Sequence, residues 1–123
     1  MVERMVEGDE TGAYSGSVVC EGRLGFISGR GPMRDGVFVS CTIEEETRLT
    51  LECLVAAVER IGGSKRSIVR CGCFLADLAD WPRFDAEYRA FFGEAFPART
   101  TIGAALGAGI KVEIDAVVAL DTS

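Results

Sequence analysis

The stretch Ile110-Lys111-Val112-Glu113-Ile114-Asp115-Ala116-Val117-Val118-Ala119-Leu120 decides the fold. Its residues Ile110, Val112, Ile114, Ala116, Val118 and Leu120 recur at every second position, and Lys111, Glu113 and Asp115 alternate with them. Side chains of a strand point to opposite faces in turn, so this pattern predicts a strand with one face on a core and two acids on the other. Gly107-Ala108-Gly109 joins it to a preceding strand, about Thr100 to Leu106. Further back, Ser67 to Leu75 sets Val69, Cys71, Cys73 and Leu75 against Ile68, Arg70, Gly72 and Phe74, as in a strand buried largely on both faces.

Between these strands the period changes. Phe84, Tyr88, Phe91 and Phe92 fall at helical spacing, with Asp80 as N-cap, Pro82 in the first turn and Gly93 at the end. Earlier, Thr47, Leu51, Leu54, Val55, Val58 and Ile61 recur every three or four residues from Ile43 onward. Glu44, Glu45, Arg48, Glu52, Glu59 and Arg60 fill the opposite face, and Gly62-Gly63 closes the helix. Val18–Cys20, Gly25–Ser28 and Val37–Ser40, separated by glycine-rich turns, are candidate strands. The order is three strands, helix, strand, helix, two strands: an α+β domain with both helices on one face of a mixed or mostly antiparallel sheet. No third helix covers the other face, so Ile68, Phe74, Val117 and Ala119 are expected there, open to assembly with further copies. Residues 1–11 read as a mobile polar segment and 12–123 as one domain.

The 123 residues, 48% hydrophobic and 26% charged, suit one packed domain rather than a disordered chain. The absence of histidine removes histidine general-base, histidine–zinc and serine–histidine chemistry from the single chain. A net charge of −6 opposes phosphate backbones, so no nucleic-acid partner is expected. The five cysteines form no metal or disulfide framework and read as buried thiols of a reducing compartment. Cys71-Gly72-Cys73 lacks two further ligands at zinc spacing, and the glycines from Gly103 to Gly109 lack a phosphate-cradle spacing. No apolar secretion segment or membrane span is evident, so the expectation is a cytoplasmic protein without membrane partner, metal or organic cofactor.

Phe96-Pro97-Ala98-Arg99-Thr100-Thr101 places Arg99 at a strand entrance, where a guanidinium can hold a carboxylate with two parallel bonds. Phe96-Pro97-Ala98-Arg99-Thr100-Thr101-Ile102, followed by Val112-Glu113-Ile114-Asp115-Ala116, resembles the C-terminal signature of the RidA (YjgF) reactive intermediate deaminase family, P-A-R-S/T-x-V and then V-E-I-E-A. Phe74-Leu75-Ala76-Asp77-Leu78 and Asp85-Ala86-Glu87-Tyr88-Arg89-Ala90-Phe91-Phe92 resemble that family's F-L-x-D-L stretch and its N-x-x-Y-x-x-F-F helix. Gly12-Ala13-Tyr14 and Ile27-Ser28-Gly29 resemble its G-P-Y and T-S-G-Q elements more weakly.

This resemblance implies a chorismate-mutase-like fold, a homotrimer with sheets facing inward, ligand clefts between subunits, and cofactor-free hydrolysis of 2-imino acids such as 2-iminobutanoate and 2-aminoacrylate. It implies that Arg99 clamps the substrate carboxylate and Glu113 handles the catalytic water. Ser28, Gly29, Thr101 and Tyr14 then match substrate-lining positions. Glu113 has a plainer reading as a strand acid paired with Lys111 or an arginine. Tyr14 is equally readable as a partly buried aromatic. Asp85 stands where the family has asparagine, and it is either a cleft anion or an exposed helix acid. Arg30 and Gly31 also depart from the family pattern, and the loop with Arg23, Arg30 and Arg34 reads either as a solvated basic loop or as room for a more anionic or bulkier ligand. Two alternatives stand beside the deaminase: a non-catalytic ligand-binding or regulatory protein, and a pathway deaminase of the 2-aminomuconate type.

Overall fold

The computed structural model describes residues 1–6 and 12–120. Its central sheet has four strands, β3 (Leu24–Arg30), β6 (Ile68–Leu75), β7 (Ala98–Gly103) and β8 (Val112–Ala119), in the order β3-β8-β6-β7. β8 is antiparallel to both neighbours and β6 is parallel to β7. Two small hairpins flank it: β1 (Val2–Met5) with β2 (Ser17–Cys20), and β4 (Met33–Arg34) with β5 (Val37–Phe38). The helices α1 (Ile43–Arg60) and α2 (Trp81–Phe92) pack on one face of the sheet. This is the mixed α+β arrangement that the alternation of β8 predicts.

The helix ends follow their residues. The Thr42 hydroxyl accepts from the Glu45 N–H at 3.2 Å, and Glu44, Glu45 and Glu46 sit in the first turn, where the dipole favours anions. Asp80 precedes α2 but does not cap it. Its carboxylate turns to Arg83 at 2.6 Å, while the Asp77 carboxylate accepts from the Ala79 N–H one turn earlier. Along α2, Phe84, Tyr88 and Phe92 stack in a row, with centroids 5.6 and 4.7 Å apart, and bury into the core against Cys71, Cys73 and Leu75 of β6.

Three expectations change. Val2–Met5 is not a loose lead: it pairs with β2 in register, Val2 with Cys20 through Met5 with Ser17. The Arg4 guanidinium then donates to the carbonyls of Arg66, Ile68 and Phe96 at 2.8, 3.2 and 3.2 Å. The alternation of charged and apolar residues is the period of a strand rather than a sign of disorder, and the rest of the 1–11 segment, 7–11, lies outside the described residues. Second, Ile68 belongs to the core rather than the open face, because the ladder with β8 slips between Ile68 and Arg70 and the bulge turns Ile68 inward. Ala119 is buried as well. Third, β7 begins at Ala98 and ends at Gly103, and only Val37–Phe38 of the 37–40 run is strand.

The face away from the helices carries Phe26, which pairs with Val117, and Phe74, which pairs with Ile102. Phe26 is 73% exposed and Ile102 47%. These apolar side chains remain open in the single chain, as the lack of a third helix predicts.

Candidate active site

The sheet sorts the candidate residues into two groups. Arg99 pairs with Cys71 and Thr101 with Cys73, and both thiols belong to the core. Paired residues of adjacent strands share a face, so Arg99 and Thr101 project on the helix side at the free edge of β7. Glu113 pairs with Phe74 and alternates with the core residues Val112 and Ile114, so it projects on the open side.

The first group is built on α2 and β7. The Arg99 side chain is only 5% exposed, and its Nη1 lies 2.7 Å from Asp85 Oδ1. Among the described residues neither atom makes an aligned hydrogen bond, so the contact is Coulombic without the directional bond. Aromatic rings form the remaining walls: the guanidinium carbon is 4.8 Å from the Tyr88 centroid and 5.7 Å from those of Tyr14 and Phe84. Such faces attract a cation where water is excluded. Tyr14 is held there by its neighbour Ser15, whose N–H donates to Pro97 O at 3.0 Å and whose hydroxyl donates to Phe96 O at 2.6 Å. The Thr101 hydroxyl is buried beside the Cys73 thiol. Burial pushes the Cys71 thiol up to about 12 and the Cys73 thiol and Tyr88 hydroxyl well above their usual values, so these three stay protonated at neutral pH.

The second group is built on β3 and β8. A Cβ placed on Gly29 would collide with the Glu113 carboxylate, so the glycine is what lets that carboxylate lie against the β3 backbone. Ser28 and Gly29 are exposed beside it. Among the described residues Glu113 has no hydrogen-bond or ion-pair partner, because Lys111, the nearest basic residue in sequence, turns to Glu46. Asp115, by contrast, accepts from the Gly72 N–H at 2.8 Å across the ladder and has a structural role. The single chain therefore brings Arg99, Asp85, Tyr14 and Thr101 together, and separately Glu113, Gly29 and Ser28, with β6 and the thickness of the sheet between the groups.

A groove of about 310 Å³ opens beside Gly29, between the β4–β5 hairpin and α1. Met33, Phe38 and Ala56 give it apolar walls, and Arg30 and Arg60 border it. Among the described residues neither arginine has an ion-pair partner; Arg30 Nε donates only to Ser28 O, at 3.3 Å.

The sequence reading missed Glu46. It is fully buried, its Oε1 accepts from the Lys111 N–H at 2.7 Å, and its Oε2 accepts from the Cys41 N–H at 3.1 Å and lies 3.2 Å from Lys111 Nζ. It thereby ties the first turn of α1 to the entrance of β8, two residues before Glu113. The signal was its position, three residues after Ile43 and four before Thr50, on the buried stripe of the helix. Among the described residues no helix is long and apolar enough to cross a membrane.

A family model described as Endoribonuclease L-PSP matches residues 6–120. Among curated proteins, the mitochondrial protein mmf2 of Schizosaccharomyces pombe is 36% identical over 88% of this chain and 88% of its own. The 2-iminobutanoate/2-iminopropanoate deaminase of Dermatophagoides farinae is 30% identical over 89% and 88%. Among solved structures, Escherichia coli TdcF with bound serine superposes with a TM-score of 0.74 at 28% identity, covering 95% of this chain and 98% of that one.

Proposed function

The chain belongs to the endoribonuclease L-PSP (RidA/YjgF) family, and from that membership and the two half-sites we propose that it is a deaminase of 2-imino acids. The carrying observation is the separation of Arg99 and Glu113 onto opposite faces of the sheet. An edge half-site on β7 and an open-face half-site on β8 form one cleft when the open face of one copy receives the β7 edge of another. In a homotrimer with sheets inward, this contact repeats three times and covers Phe26 and Ile102.

In that cleft Arg99 holds the substrate carboxylate, and the rings of Tyr14, Phe84 and Tyr88 keep water from the guanidinium. The imine carbon is already electrophilic. Glu113, without a cationic partner among the described residues, accepts a proton from water as the water oxygen bonds to that carbon. The proton passes to the nitrogen, the carbinolamine collapses, the C–N bond breaks, and ammonia leaves a 2-keto acid. Water and imine balance keto acid and ammonia, so the step consumes no oxidant, reductant or further reactant, and the proposal assigns no metal or organic cofactor to it. Ser28, Gly29 and Thr101 line the cleft in this reading, with the Gly29 backbone close to the reacting centre. The cytoplasmic location and the absence of nucleic-acid and membrane partners belong to the same proposal, the charge of −6 arguing against polyanions.

The test generates 2-iminobutanoate in situ with a dehydratase and follows ammonia release. Acceleration over spontaneous hydrolysis, lost in Arg99→Ala, supports the reading, and no acceleration by the wild-type protein overturns it. A second reading, a binding or regulatory protein without catalysis, is favoured by the groove, where Arg30 and Arg60 lack an ion-pair partner among the described residues and outnumber the one acid of its lining, Asp35. Carboxylate binding without turnover would select it.

A further inference from the structure

The pairing of Arg99 with Asp85 bears on which ligands the site accepts. Arg99 is a nearly buried cation whose only charged neighbour at contact distance, among the described residues, is the Asp85 carboxylate, at 2.7 Å. The other walls are aromatic. The site is thus charge-neutral before any ligand arrives: a buried guanidinium with an acidic oxygen already beside it. That oxygen and Arg99 Nη1 both lie away from water, yet they are not aligned as a hydrogen bond. The guanidinium consequently keeps unused directional donors for a second carboxylate, while Asp85 keeps unused acceptor capacity. A ligand bringing only a carboxylate is drawn by Arg99 and repelled by Asp85. A ligand bringing a carboxylate and a nearby cationic nitrogen meets both charges with the matching sign.

We propose that Asp85 sets the charge preference of this site, selecting zwitterionic ligands, with a carboxylate and a protonated nitrogen close together, over simple carboxylate anions. In terms of the deaminase reading, on which this consequence rests, a protonated 2-imino acid is such a zwitterion and the 2-keto acid product is a bare anion. Loss of the nitrogen as ammonia removes the group that Asp85 holds. Asp85 then opposes the product, hastening its release and limiting product inhibition. Asp85 is a specificity-determining residue here, since the bond-making steps need only Glu113 and water.

Binding without turnover tests this apart from catalysis. Calorimetry or ligand-observed NMR gives the Kd of 2-oxobutanoate and of 2-aminobutanoate, a stable anion and a stable zwitterion of the same carbon skeleton. Both are measured for the wild-type assembly, for Asp85→Asn, which keeps the shape and removes the charge, and for Asp85→Ser. The expected result is that both variants bind 2-oxobutanoate about tenfold more tightly, while 2-aminobutanoate gains nothing, so the ratio of the two constants shifts by tenfold or more. Thermal melting establishes that each variant is folded, and product inhibition of ammonia release should deepen in parallel. A ratio within twofold of wild type in both variants overturns the proposal. So does weaker 2-oxobutanoate binding, which would make Asp85 a support for Arg99. Failure of either ligand to bind any form overturns it together with the carboxylate clamp. A shifted ratio in a protein that releases no ammonia leaves the charge preference standing and removes only the deaminase reading.

Discussion

Replacing Glu46 by glutamine should lower the melting temperature by about 8–12 °C. The carboxylate serves three donors, the Lys111 N–H at 2.7 Å, the Cys41 N–H at 3.1 Å and Lys111 Nζ at 3.2 Å, and it is fully buried. A glutamine amide has one carbonyl oxygen, so at least one donor must face an N–H₂ group instead of an acceptor. A hydrogen bond to a charged group contributes about 1.5–3 kcal/mol, and leaving a donor unpaired inside costs a similar amount, so the net loss is about 2–3 kcal/mol. For 123 residues the unfolding entropy near 60 °C is about 0.26 kcal/mol/K, which converts that loss into the stated shift. The assay is thermal unfolding followed by circular dichroism at one fixed protomer concentration, because the proposed assembly would make the midpoint concentration-dependent. A drop smaller than about 3 °C would show that water reaches the donors through the Lys111 side chain, itself 37% exposed, and replaces the lost acceptor, and the reasoning would fail. Since Glu46 anchors the chain two residues before Glu113, turnover of 2-iminobutanoate should fall as well.

Gly29→Ala places a methyl group against the Glu113 carboxylate, so ammonia release should fall at least about tenfold while the exposed position leaves the melting temperature within a few degrees; unchanged turnover would separate Glu113 from the reaction. Burial raises the Cys71 thiol from 9.0 to about 12, so above pH 9 the unfolded chain releases a proton that the folded chain keeps. Stability from this group is complete below pH 9 and should decline by about 1.4 kcal/mol per pH unit towards pH 12. Urea unfolding at pH 8 and 10.5 measures the slope, and Cys71→Ala should reduce it by that amount, leaving the part that comes from Cys73 and Tyr88, whose protons burial holds as well. Phe26→Asp puts a charge on the open apolar face, so light scattering should show trimers for the wild-type protein and monomers for the variant; a stable wild-type monomer would dissolve the shared cleft.

Much of the fold was legible because local patterns carry it. The two-residue period from Val112 to Ala119, the aromatic row Phe84, Tyr88 and Phe92, and the three- and four-residue spacing of Thr47, Leu51, Leu54 and Val58 each state their structure over a few neighbouring residues. The charge and the missing histidine narrowed the chemistry in the same local way. Val2–Met5 shows the limit: four residues of alternating character are too short to announce a strand without the partner, Ser17–Cys20, that pairs with them.

What only the tertiary structure decided is non-local. The slip between Ile68 and Arg70 moved Ile68 from the open face to the core, because register is set by the partner strand. The faces of Arg99 and Glu113 depend on which residues they pair with, Cys71 and Phe74, and spacing along the chain does not state that. The contact between Asp85 and Arg99 joins a helix to an edge strand through the packing of α2 on the sheet. Residue types pointed to Arg99 as the proposed clamp and Glu113 as the proposed water-handling acid through a resemblance. Strand pairing put them on opposite faces of one chain, and packing placed a second carboxylate at the clamp, because side-chain direction follows from neighbours that lie far away in sequence.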